Sequence, residues 1–220
     1  MPKKSQTYWR HTLQLTGEEE ELLKHYLARV TLFWNCCVQH LNDAAEAYIA
    51  SKTNPLLTKE FTGSAWDFYN NLRFVSQGGR VPEDVLETTW YEFIPSIFEL
   101  SDETLRNRLS DLLAAYMKVK RDMETDSPDV SGMPKRKTDR SSESVRFSAS
   151  DFTVSGTTLQ ILRPFALRLS IPELTTFGFN PAECCLSITR KPPSPNRSRF
   201  GPQTKTSRSS YTLTLRIRSS

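Results

Sequence analysis

The chain has 220 residues, of which 37% are apolar, and a formal net charge of +4. That content can build a real core, and no run of about 18 uncharged apolar residues offers a membrane span. The N-terminal MPKKSQTYWRHTLQL lacks the apolar stretch and small-residue cleavage site that export requires, so a soluble, cytoplasmic protein of one domain or two compact units is expected.

In chain order, TYWRHTLQL roughly alternates and reads as a strand, with Trp9, Leu13 and Leu15 on one face. The period then changes. Thr16 with Glu19 forms a capping box, Glu18 to Glu21 suit the positive end of a helix dipole, and apolar residues recur from Leu23 to Tyr48. A long amphipathic helix to about Ala50 follows. Phe61 through Val75 suggest a second helix closed by Gly78-Gly79. Pro82 opens a third through Trp90, and Ser101 with Asp102 and Glu103 starts a fourth that carries Leu105, Leu109, Leu112, Leu113 and Tyr116. After Pro128 alternation takes over in VRF, DFTVSGTTLQI, ALRLSIPEL, CCLSITR and SYTLTLRIR, five strand candidates around turn signals such as Ser155-Gly156. Lys191 to Ser210 is polar and Pro-rich and reads as a long basic hairpin loop.

The modest net charge conceals a division. Residues 1–127 hold 14 Lys/Arg against 19 Asp/Glu, whereas residues 128–220 hold 15 against 6. A basic half beside a more acidic one points to a polyanionic partner. Two basic tracts stand out. Lys135, Arg136, Lys137 and Arg140 follow the Gly132-Pro134 break. Arg190, Lys191, Arg197, Arg199, Lys205 and Arg208 lie in and around the long hairpin. Arg146 alternates with Val145 and Phe147 and is expected on the face away from the core, where it can meet a phosphate or a 2′-hydroxyl. Against these stands the plainer reading of each tract as a solvated loop.

Cys36-Cys37 and Cys184-Cys185 are adjacent pairs without the CxxC spacing of a zinc site, and read as buried thiols. His11, His25 and His40 are scattered, with no clustered carboxylate or serine partner. No catalytic residue, metal or cofactor is expected.

The helix ending in LFWNCCVQHL, then TLRNRLSDLLAAYMKVKRD, MPKRKTDRSSESVRF and LRLSIPEL, in that order, resemble the N-terminal half of the transposon-encoded TnpB nucleases and their Cas12-type relatives. The resemblance covers about residues 7 to 218. It implies an α+β fold in which an OB-like antiparallel wedge barrel is interrupted by a helical recognition insert. The barrel would take residues 1–15 and 128–220, and the insert residues 16–127. It implies a guide RNA held by the basic tracts and by Arg146, and target DNA or heteroduplex met by Asn35, Lys3, Lys4 and Arg10, in a prokaryotic cytoplasm at the nucleoid. Asn35, beside Trp34, can equally satisfy a buried partner. In the family a RuvC-like nuclease core with a D-x-G element and a zinc ribbon follow the last strand; neither pattern occurs here. The expectation is therefore recognition without cleavage, with a separate RuvC-containing protein as a further candidate partner. The alternatives are the N-terminal fragment of an active nuclease, or a general single-strand-binding OB protein.

Overall fold

The computed structural model describes residues 6–51, 54–78, 97–125, 131–138, 141–147, 151–161, 167–170, 184–192 and 209–218. They form a mixed α+β fold of three helices and two antiparallel sheets. None of the described helices is long and apolar enough to cross a membrane. The helix expected from Pro82 lies outside the described residues.

The chain divides into two compact units, residues 28–137 and residues 1–27 with 138–220. The helical unit contains most of α1 (Gly17–Ala50), with α2 (Pro55–Ser76) and α3 (Asp102–Glu124). Local chemistry sets the ends of these helices. The Thr16 amide donates to Glu19 Oε2 at 2.7 Å and the Glu19 amide to Thr16 Oγ1 at 3.3 Å, the expected capping box. Asn54 and Ser101 cap α2 and α3 through their side-chain oxygens. Gly78, at φ 86°, adopts the left-handed conformation that follows a helix end. The last turn of α1 has no cation of its own, and Lys120 of α3 supplies one. Its ammonium donates to the carbonyls of Tyr48, at 3.0 Å, and Ser51, meeting groups that a helix C-terminus leaves unpaired. Apolar positions three and four apart put Phe33, Leu41, Phe61, Tyr69, Leu105 and Tyr116 in the core of this unit. Phe61 stacks on Tyr48 and meets Tyr116 edge-on.

Among the described residues the other unit holds seven strands. β1 (Gln6–Thr12), β2 (Glu143–Phe147), β6 (Cys184–Lys191) and β7 (Ser210–Arg218) form a sheet of order β1-β7-β6-β2. The first strand does join the later ones, as expected, with Trp9 opposite Leu215. β3 (Phe152–Ser155), β4 (Thr158–Ile161) and β5 (Leu167–Ser170) form the second sheet. DFTVSGTTLQI is thus a hairpin that turns at Gly156, φ 58°. Among the described residues the strands do not close into the expected barrel. β3, β4 and β5 satisfy one another through short local registers, while β2 pairs with β6, so the two ladders stay separate.

Alternation gives the four-stranded sheet one covered face, with Val145, Phe147, Leu186, Ile188, Tyr211 and Leu213 all buried. The first turns of α1 belong to this unit, and Tyr26 stacks on Phe147 at 5.4 Å. Glu143 and Arg190, directly opposite each other on the covered face, form an ion pair at 2.9 Å.

Candidate nucleic-acid interface

Residues 131–138 have no regular secondary structure, yet they are held at both ends. Pro134 is buried; its ring fixes its own φ and disfavours a helical conformation at Met133. A segment without secondary structure needs other partners for its backbone groups. Two neighbouring residues of α1 supply them. Trp34 Nε1 donates to the Lys135 carbonyl at 3.0 Å, Asn35 Nδ2 donates to the Lys137 carbonyl at 3.0 Å, and the Lys137 amide donates to Asn35 Oδ1 at 2.7 Å. Asn35 thereby offers the segment what a neighbouring strand would, one donor and one acceptor. At the other end the Ser131 amide donates to Asp122 of α3 at 3.2 Å, and Lys118 donates to the Ser131 hydroxyl at 2.7 Å.

This strap fixes the backbone under three consecutive cations. The Lys135 and Arg136 side chains are exposed, whereas Lys137 is half-buried with its ammonium 5.2 Å from the centre of the Trp34 ring. Arg108 lies 4.5 Å from the same ring. Trp34 therefore carries two cations on its ring and a main-chain hydrogen bond at its nitrogen. Cys36 and Cys37 are free and buried; burial pushes the Cys36 thiol up to about 12, against an opposing pull from Arg136. Thiols so protonated are poor nucleophiles and metal ligands.

The other candidate residues are distributed as follows. Asn35 is committed to the Lys137 main chain, the second of the two roles that the sequence allowed it. Arg190 is turned to the covered face, where it pairs with Glu143 and donates to Ser209 at 3.2 Å, so its charge is balanced within the fold. Arg146 is exposed on the face opposite Val145 and Phe147, as its position in the alternation implied. Arg10 and Lys191 are exposed as well. Lys3, Lys4, Arg140, Arg197, Arg199, Lys205 and Arg208 lie outside the described residues. Among the described residues no group of three or more His, Cys, Asp and Glu side chains could hold a metal ion. Trp34 and Asp122 were not legible as strap anchors, because each works through a contact distant in sequence or made to the main chain.

The hydrogen bonds from Ser131 hold the Asp122 carboxyl below the ordinary carboxylate range. A carboxyl depressed by folding stabilises the folded form above its unfolded pKa, and that contribution disappears as pH falls through the folded value. The Ser131 amide should therefore be protected from hydrogen exchange at neutral pH and lose protection on acidification through and below the carboxylate range. Asp122→Ala should remove the protection at every pH.

No family model matches the chain, and no curated protein matches it.

Proposed function

We propose that the protein binds RNA through the strap, as the guide-holding recognition and wedge module of an RNA-guided system of the TnpB and Cas12 type. In this reading the β unit corresponds to an OB-like wedge, the helical unit to the recognition insert, and target DNA is met by the guide. The chain contributes recognition and leaves cleavage to a RuvC-containing partner. The observation that carries the RNA-binding reading is the double clamp on residues 131–138. A solvated linker has no use for three hydrogen bonds between its main chain and α1, and holding Lys135 and Arg136 exposed on a fixed backbone brings like charges together at an energetic cost that a polyanion repays. The order of sequence segments that resembles the family supplies the guide and the system.

The test is a salt titration of RNA binding to the full chain. Replacing Lys135 and Arg136 with Gln should weaken binding and reduce the slope of log affinity against log salt by about 0.7 to 0.9 for each lost phosphate contact. Both side chains are exposed, so thermal stability should hold. Unchanged affinity and slope would remove the strap from the interface.

A further inference from the structure

We propose that the helical unit carries a docking site for an acidic segment of a protein partner, in which Arg73 and Arg106 take one carboxylate side chain and an adjacent apolar side chain rests on Trp66 and Phe98. The site is built around Tyr69. Trp66, Tyr69 and Arg73 stand three and four residues apart and so form one stripe of α2. The Tyr69 ring is buried, and Trp66 and Phe98 each approach it at 6.1 Å, the first edge-on. Its hydroxyl donates to Asp102 in the first turn of α3. Arg106 donates from Nε to the second Asp102 oxygen at 2.6 Å and lies 5.5 Å from the centre of the Tyr69 ring, while Arg73 Nη1 meets the first oxygen at 3.2 Å. The Arg73 and Arg106 side chains are 41% and 47% exposed, and Trp66 and Phe98 are half-exposed.

Part of this cluster has a plain use, since an ion pair with Asp102 ties α2 to the start of α3, although exposed pairs of that kind add little stability. One arginine would serve that purpose. Here two guanidinium groups converge on one carboxylate, and Asp102 with Tyr69 holds them in place, which lowers the ordering cost of receiving a further acid. Guanidinium is the group that pairs with carboxylate through two parallel hydrogen bonds, and arginine, tryptophan, tyrosine and phenylalanine are the residues concentrated in protein interfaces. Arginine and aromatic side chains also serve single-stranded RNA. Charge decides between the two. Asp102 stands at the centre of the cluster, and residues 1–127 hold 14 Lys/Arg against 19 Asp/Glu, so the surroundings oppose a run of phosphates. A single carboxylate in contact with two guanidinium groups feels mainly its near neighbours, because more distant charges are screened.

The site shares no residue with the strap, so the two readings can fail separately. The experiment is anisotropy of three dye-labelled hexapeptides with the full chain: Glu-Glu-Leu-Phe-Glu-Glu, the same peptide with Gln for every Glu, and the same peptide with Ser for Leu and Phe. A uridine RNA oligomer is titrated in parallel. The acidic peptide should bind, and losing either its carboxylates or its apolar pair should weaken it about tenfold. R73Q and R106Q should each weaken the acidic peptide about tenfold as well, with RNA affinity unchanged. R73K/R106K should also weaken it, because lysine keeps the charge and loses the planar fork. K135Q/R136Q should leave it as in the wild type. The peptide changes and the lysine variant keep the test open should a glutamine variant fail to fold. Acidic and Gln peptides that bind alike, or an acidic peptide that does not bind, would overturn the site. An equal loss in K135Q/R136Q would show attraction to any cation and overturn it, and loss of RNA affinity in R73Q and R106Q would give the surface to nucleic acid and overturn it too.

Discussion

Replacing Glu143 with Ala should destabilise the protein by about 3 kcal/mol in chemical denaturation, the low end of the cost of breaking a buried ion pair by removing one partner. The Glu143 side chain is 8% exposed and that of Arg190 19%, and they meet at 2.9 Å across two paired strands. The loss is large because removing Glu143 takes away the carboxylate that faces the guanidinium on the covered face. The low end applies because Arg190 keeps some access to water. Removing both charges, with Glu143→Leu and Arg190→Met, should recover most of the loss, since two apolar groups leave no buried ion to satisfy. A double variant as unstable as the single one would mean that Arg190 is held by something other than Glu143.

Asn35→Leu should loosen the strap and lower RNA affinity about tenfold without removing a cation. Two hydrogen bonds to the Lys137 main chain disappear, each worth about 0.5 to 1.5 kcal/mol net. A binding segment that is ordered only part of the time binds with an affinity reduced by that fraction. The salt slope should stay as in the wild type, because Lys135, Arg136 and Lys137 are still present. This separates anchoring from contact: the K135Q/R136Q variant changes the slope, and N35L changes affinity at constant slope. A lower slope in N35L would mean that Asn35 lies in the phosphate-binding site itself.

Much of the local structure could be read from short stretches, since each signal is a contact between near neighbours. The Thr16–Glu19 box, the Ser101 cap, the turn at Gly156 and the alternation that puts Arg146 outside all belong to this kind. What escaped the sequence depends on distant partners. That β2 pairs with β6, leaving two sheets among the described residues in place of a closed barrel, is a choice among many similar alternating segments. The apolar stripe of α1 looks continuous, although its residues 17–27 serve the β unit and the rest the helical unit. The strap was visible as a row of cations but not as a held segment, because its anchors at Trp34 and Asn35 lie 101 and 102 residues away. Asn35 shows the ambiguity best: an amide on a helix reads the same whether it faces a nucleic acid or the chain's own backbone.

The central claim is that the strap touches RNA, and the most direct measurement is ultraviolet cross-linking of the full chain, purified with the RNA it carries from its own cells, followed by mass spectrometry of the cross-linked peptides. The account predicts a discrete RNA, cross-linked to peptides that contain Lys135 to Lys137, with those cross-links lost in K135Q/R136Q. A protein that carries no RNA, or one whose RNA cross-links only to peptides outside residues 131–138, would contradict it.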